Sequence, residues 1–594
     1  MANSSEDLIL MTTNHVRAGH TVLRMERVKG GQLDSQQVMH VGGGDNKGII
    51  INRPGLEVAS DLNGKAASLS LSFKVFLVNA ASNVHVEEGR QLKFWFREDI
   101  PEEEQLASAQ EFFRDLVNPS DFPRDYVGFI MKVIKLMQRK YLTIRQIQIE
   151  MKQSGEKSDL PHRPTSADQE TTPGATVEVT QAQVLEIVES SYPNAVTLDD
   201  IVRATQSTLE VIAAHIQELL AKNIIKSMDN SGFMRVDAND TQVKMVKQMP
   251  NVQKSQQPSI AIITAQYCEK LAVDAMIDNK DTYVRYKTEG ESNVYTLGNI
   301  GWHRVVSTKL PAVGHSRGAM IAAGNTTTRL IGTFQHVDYV FLVGLGGGVI
   351  HYTDFSKHVR LGDVVVSTPP AAFTLGKPCV YLHCEPTASS PSANSESVAE
   401  TNGHMDVGSF AFRSWCPPNL ELQELAEKLR FGAANQEEAR TWEAYLEDGL
   451  EQLKSQESDF RRPPPESDKL YMNLGAKDVL EVIHPEVPEN FYDPRSKGKP
   501  MIHLGAIASG RLAVKDEQLR QDIAKKYGVA AFDSEFDTVV ESIHGNRKEK
   551  YILIRGICDY KDGTRKKEWQ PYASLAAAAF MKSMIVSLPP VNNE

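Results

Sequence analysis

Tyr339-Val-Phe-Leu-Val343 is a short, wholly apolar run that passes straight into Gly344-Leu-Gly-Gly-Gly-Val349. An apolar run of this length, bounded by a breaker, reads as a strand buried on both faces. Glycines at the end of such a strand let backbone N–H groups approach a phosphate or a sugar with no side chain in the way. The same run would equally serve a tight turn needing φ > 0. Similar apolar runs flank it at Ile260–Thr264, Asn293–Leu297, Arg304–Ser307, Val364–Ser367 and Tyr551–Ile554. Helical spacing appears between them at Tyr267–Ile277, Ala319–Phe334 and Asp516–Tyr527, and last at Tyr572–Val586. Buried strands alternating with helices predict an α/β fold with a mostly parallel sheet.

Two acidic positions stand where such a fold can use them. Phe532-Asp-Ser-Glu-Phe-Asp537 opens a helix, and a carboxylate there has two oxygens that can accept both hydroxyls of a ribose. An acid favoured by the helix dipole would look the same. Ile554-Arg-Gly-Ile-Cys-Asp-Tyr560 ends an apolar strand, and open α/β sheets place reactive groups at the carboxyl ends of their strands. A loop-capping aspartate is the alternative.

Taken in order, Ile260–Glu269, Tyr295–Gly301, Val343–Val349, Arg360–Ser367, His503–Gly510, Phe532–Asp537, Arg555–Asp559 and Trp569–Ala573 resemble the nucleoside phosphorylase and nucleosidase superfamily. The resemblance covers residues 259–589. It is strongest to the branch associated with immune-receptor-like proteins and ATP nucleosidases, through Arg555–Tyr560 and Trp569–Ala573. It implies a three-layer α/β/α domain with a central mixed sheet. It further implies that Asp559 protonates the purine at N7 and that Glu269, in Gln266-Tyr-Cys-Glu, orients or deprotonates the attacking water. Glu535 and Ser534 would lie at the ribose, Leu345, Gly346 and Gly347 on the sugar and phosphate side, and Ser509 near the base. Arg317, in Gly314-His-Ser-Arg-Gly, falls near the phosphate-side loop, where it meets phosphates or is simply a solvated helix-start residue.

The chemistry implied is coherent. Cleaving an N-ribosyl bond builds positive charge on the ribose and negative charge on the purine, and general acid help is typically worth about 10²–10⁴-fold. Asp559 must then keep a proton near neutral pH while Glu269 loses one, so two acids with opposite demands share one pocket. Ser534 stands where the family carries Met, and Arg511 where it carries Asp or Asn. No Gly-Asp-Pro-x-Arg phosphate motif occurs, which favours hydrolysis over phosphorolysis. The reading is a purine nucleoside or nucleotide N-ribosyl hydrolase, on ATP or a smaller purine nucleoside. A phosphorylase using phosphate instead of water is the alternative within the class, and a catalytically silent nucleoside sensor or scaffold the alternative outside it. No cofactor and no metal are implied. Family relatives commonly self-associate, so a homo-oligomer is expected.

The remainder of the chain reads as separate modules. Residues 1–151 form an α+β region: strands at Ser68–Asn79 and Gln91–Arg97, then helices at Glu102–Val117 and Tyr126–Met151. Residues 1 to about 60 show no firm pattern. Proline-bearing 152–176 and polar 238–258 read as linkers, and 385–408 and 454–466 as surface insertions. Between the linkers, 177–237 offers three helices and a hairpin, the pattern of a winged helix. Its third helix, Thr208–Lys222, turns outward Glu210, Gln217, Glu218 and Lys222, where a DNA-reading helix carries several Arg, Lys or Asn. Protein contact is therefore expected of it, and DNA is not.

With 594 residues the chain exceeds one compact core, and its net charge of -11 does not suit a general phosphate-backbone binder. Five cysteines, with only Cys379 and Cys384 close, fit a reducing compartment rather than a zinc site. The amino terminus lacks a basic, apolar leader, and no apolar stretch reaches the ~20 residues a bilayer needs. A soluble cytoplasmic protein is expected.

Overall fold

The computed structural model describes residues 7–17, 20–29, 38–41, 49–52, 65–78, 85–118, 121–123, 125–157, 179–228, 232–236, 243–250, 256–285, 293–311, 317–370, 379–387, 407–432, 441–473, 479–489, 491–510, 517–533, 536–560 and 567–590. The chain divides into two compact units. One comprises Met1–Pro164, Ile350–His358 and Pro465–Tyr492; the other comprises Thr165–Val349, Val359–Pro464 and Asp493–Glu594. Two short segments that the sequence reading keeps inside 259–589 thus belong to the first unit.

Among the described residues, the first unit is a nine-stranded sheet with two α-helices. Its elements are β1 (Asp7–Arg17), β2 (His20–Lys29), β3 (Val38–Val41), β4 (Ile49–Asn52), β5 (Leu69–Val78), β6 (His85–Phe96), α1 (Glu102–Leu116), α2 (Tyr126–Arg139), β7 (Ile144–Lys157), and the late arrivals β20 (Leu470–Asn473) and β21 (Val479–Val482). The sheet order is β20-β21-β5-β6-β7-β2-β1-β4-β3. Rings from the helices and the sheet meet in its core, with Phe73 against Phe113 at 5.3 Å and Phe94 against Phe112 at 5.6 Å. The expected helix Tyr126–Met151 is corrected here: it ends at Arg139, and β7 follows. Phe129, Val133, Ile134 and Met137 bury one helical face, whereas Ile147, Ile149 and Met151 are buried at every second residue, the period of a strand. β1 to β4 occupy the patternless first sixty residues.

The second unit opens with a small module: α3 (Gln181–Ser191), β8 (Val196–Thr197), α4 (Leu198–Thr205), α5 (Leu209–Ala221), β9 (Ile225–Met228) and β10 (Gly232–Arg235). Its own core holds Val184, Val188, Ile201, Ile212, Ile216, Leu219 and Ile225. Thr197 caps α4 as expected, its hydroxyl accepting from the Asp200 N–H. The second expected linker is partly a strand, β11 (Val243–Val246), which pairs parallel with β13 (Asp278–Arg285).

The large sheet continues through β12 (Ile260–Thr264), β14 (Asn293–Ile300), β15 (His303–Lys309), β16 (Tyr339–Gly348), β17 (Val364–Ser367), β18 (Tyr381–Pro386), β19 (Phe410–Trp415), β22 (Ile502–Ser509), β23 (Val529–Asp533) and β24 (Lys550–Asp559). Helices are α6 (Tyr267–Ala275), α7 (Arg317–Thr333), α8 (Glu421–Gly432), α9 (Thr441–Gln452), α10 (Glu517–Tyr527), α11 (Asp537–Gly545) and α12 (Gln570–Ser587). The sheet is mixed rather than mostly parallel. β16 pairs with β24, β24 with β17, β17 with β22, β22 with β23, and β23 returns to β16. That ring of pairings leaves no open edge among those strands. α12, buried on nearly all sides, packs against β24 and β16.

Asp363 fastens the start of β17. Its carboxylate accepts from Arg495, His503 and the N–H groups of Arg360 and Met501. Burial works to raise its pKa, yet Arg495 and His503 hold it at about 2. A depressed carboxyl adds stability above its unfolded pKa and loses it as pH falls through the folded value. We therefore expect Asp363→Asn to lower stability at neutral pH by about 2 kcal/mol. The penalty should shrink as pH drops from about 4 to 2, followed by denaturant titration.

Candidate functional site

The glycine run is not a turn. Gly344 to Gly348 all lie within β16, and none is among the glycines with positive φ. What excludes side chains is close approach. A Cβ on Gly344 would sit 2.9 Å from Glu269 Oε1, one on Gly346 3.2 Å from Arg555 Cβ, and one on Gly348 2.9 Å from Ile557 Cγ2.

Glu269 occupies the space beside Gly344. It is the third residue of α6, in a capping box with Gln266. Its Oε2 accepts from the N–H groups of Ala265 (2.7 Å) and Gln266 (2.9 Å), and its Oε1 from that of Leu345 (2.8 Å). Both oxygens accept, as a carboxylate's do. Burial pushes its pKa up, opposed by those three N–H donors and the Arg555 guanidinium. Leu345 is therefore a backbone donor to Glu269.

Asp559 is the last residue of β24, buried, with its Cα in register opposite Gly347. Leu345 and Gly347 lie two residues apart on β16, so the strand rise separates them by roughly 7 Å. Glu269 and Asp559 thus flank the same carboxyl end of β16. β23 reaches that end from the other side, Phe532 pairing with Gly347, and Ser509 at the end of β22 pairs with Asp533. The Ser509 hydroxyl lies 2.8 Å from His383 Nδ1. Ser534, Glu535 and Arg511 lie outside the described residues. Arg317 is the first residue of α7, and its side chain also lies outside them.

A buried network behind this edge was not singled out from the sequence. Arg555, fully buried, donates to Asp533 Oδ2 (3.3 Å) and to the Leu342 carbonyl (3.0 Å), and its guanidinium lies 4.1 Å from the Phe536 ring centre. The Tyr381 hydroxyl donates to the same Asp533 oxygen at 3.0 Å. Asp533 immediately precedes Ser534-Glu535 in the sequence. The signal was a charged residue inside an otherwise apolar strand, Ile554-Arg-Gly. A cavity of about 730 Å³ lies on the His383 side, walled by Ile321, His383, Arg413, Trp415 and Asp537 among others; Glu269, Leu345 and Asp559 do not line it. Among the described residues no His, Cys, Asp or Glu cluster is arranged to hold a metal ion, and no helix is long and apolar enough to cross a membrane.

Residues 170–237 match the family model described as a winged helix-turn-helix domain. This part of the chain is a winged helix. The helix of the winged helix that would read a DNA groove, α5, contains neither Lys nor Arg and exposes Leu209 and Val211. Over 336 residues the chain is 28% identical to a nucleotide-binding leucine-rich repeat (NLR)-like protein from Hyaloscypha variabilis. That match takes in 56% of this chain, which spans only 29% of the length of that relative. The 5′-methylthioadenosine/S-adenosylhomocysteine nucleosidase from Neisseria meningitidis aligns with a TM-score of 0.31 at 16% identity, over 55% of this chain and 99% of that one. Futalosine hydrolase of Helicobacter pylori aligns at 0.33 and 13%, over 56% and 100%.

Gly344→Ala should displace the Glu269 carboxylate and cost about 1–3 kcal/mol by overpacking. Gly332→Ala in α7, where nothing lies within 4 Å of the added methyl, should be neutral or stabilising by up to about 1 kcal/mol. Urea unfolding of the two variants beside the parent checks both.

Proposed function

We propose that residues 259–589 form a purine nucleoside or nucleotide N-ribosyl hydrolase that releases the free base. One observation carries the reading: Glu269 and Asp559 flank the same carboxyl end of β16. In this account Asp559 delivers its proton to N7 of the purine as the C1′–N9 bond breaks. Water attacks C1′ from the other side of the ribose and gives its proton to Glu269. Glu535 accepts hydrogen bonds from the ribose hydroxyls and steadies the positive charge that develops on the sugar. Ser509 stands near the base. The buried donors on Glu269 support its role, because an oriented carboxylate costs no reorganisation during reaction. The winged helix and the first unit are then regulatory or partner-binding modules, and the winged helix is suited to protein rather than DNA.

The test is base release from adenosine, methylthioadenosine and ATP, read by chromatography with and without phosphate. We expect free adenine that does not depend on phosphate. Asp559→Asn should slow release by about 10²–10⁴-fold while leaving nucleoside binding intact. Release that requires phosphate would convert the reading to a phosphorylase. A wild-type chain that binds every purine and cleaves none would make it a sensor.

A further inference from the structure

We infer that Lys309 is a positioning residue for Glu269, keeping that carboxyl ionised, and that the winged helix supplies the carbonyls that hold it there. The inference rests on the proposal that Glu269 activates the attacking water.

Lys309 is the last residue of β15 and stands in register with Thr264, the last residue of β12. The next two residues after Thr264 are Ala265 and Gln266, whose N–H groups grip Glu269. Lysine and glutamate therefore share one end of the sheet. The Lys309 side chain is fully buried. Its three ammonium hydrogens are matched by three carbonyls: Ser190 (2.9 Å), Tyr192 (3.0 Å) and Leu310 (2.8 Å). Two of the three belong to the winged helix, at the carboxyl end of α3, where helix carbonyls lack partners within the helix and the dipole favours a cation.

Other contacts hold the two parts together at the same place. Arg235 of β10 donates to Glu189 (3.0 Å), pairs with Glu457, and lies 5.1 Å from the ring centre of Tyr267, two residues before Glu269. Tyr192 meets Tyr267 edge-on at 5.5 Å. Lys567 reaches Glu186 at 2.5 Å. The winged helix is thus built against α6, which carries the candidate base, and against Lys309 at the end of β15.

Electrostatics gives this packing a consequence. Among the described residues, the charged and titratable groups that act most on the ammonium are Glu269 of α6 and Glu189 of α3, then Lys270 and Cys268 of α6. Arg555 faces Glu269 from β24. Burial pulls the Lys309 pKa down to about 7, while Glu269 and Glu189 pull it up. The attraction is mutual: a cation at 309 favours the ionised form of Glu269, in a site where burial opposes that form. A passive pin between two domains would show no such effect on Glu269.

The experiment replaces the charge and keeps the length, with Lys309→Met in the full chain. Glutamate labelled with ¹³C at the carboxyl reports ionisation by NMR, and the Glu269 signal is the one lost in Glu269→Gln. We expect the Glu269 midpoint to rise by about one pH unit or more in Lys309→Met. The acid limb of the base-release profile should move up by the same interval. A lower melting temperature with both the midpoint and the acid limb unmoved would overturn the inference, leaving Lys309 a structural pin. If Lys309→Met does not fold, Lys309→Gln keeps N–H donors for the carbonyls and carries the same measurement. If the wild type releases no base from any purine, the water-activating role of Glu269 fails, while the carboxyl titration still decides whether Lys309 governs its ionisation.

Discussion

The site depends on one carboxylate standing where a side chain is missing. Gly344 leaves room, Glu269 fills it, and the N–H groups of Ala265, Gln266 and Leu345 converge on its two oxygens. That arrangement ties α6 to the turn after β12 and to β16 at once. It also sets the electrostatics of the edge, because the donors stabilise a charge that burial would otherwise neutralise. Asp559 sits across from Gly347 on the neighbouring strand, so the same glycine-rich strand brings together two acids that come from opposite ends of the domain.

Much of this edge was legible in the sequence. The apolar run before Gly344 marks a buried strand, helical spacing begins at Tyr267, and Asp559 closes an apolar run. What periodicity cannot show is why the glycines are there. A positive-φ turn and a close approach give the same string of letters, and only the partner across the gap, Glu269 or Arg555, distinguishes them. The Arg555–Asp533 pair was hidden for a similar reason: two residues on different strands meet only once the ring of pairings closes.

The amino-terminal unit marks the other limit. Helical spacing over Phe129–Met137 gives way after Arg139 to a stretch whose Ile147, Ile149 and Met151 obey a period of two. Among the described residues of β1 to β4, only β2 reaches a partner far along the chain, β7; β1 pairs with β2 and β4, and β3 with β4, through mixed sequences that carry no clear local pattern. The winged helix, by contrast, was readable in outline because its capping threonine, helical stripes and hairpin are all local. Its attachment to Lys309 and Tyr267 was not, since a backbone carbonyl at the end of a helix leaves no trace in composition.

The most direct test of the central claim is a crystal structure with a non-cleavable purine nucleoside analogue bound. The account predicts the purine N7 at hydrogen-bond distance, about 2.6–3.2 Å, from the Asp559 carboxyl. It also predicts an ordered water between Glu269 and C1′ of the sugar. An analogue seated elsewhere, in the cavity beside His383 and Trp415 with Asp559 out of reach of the base, would contradict it.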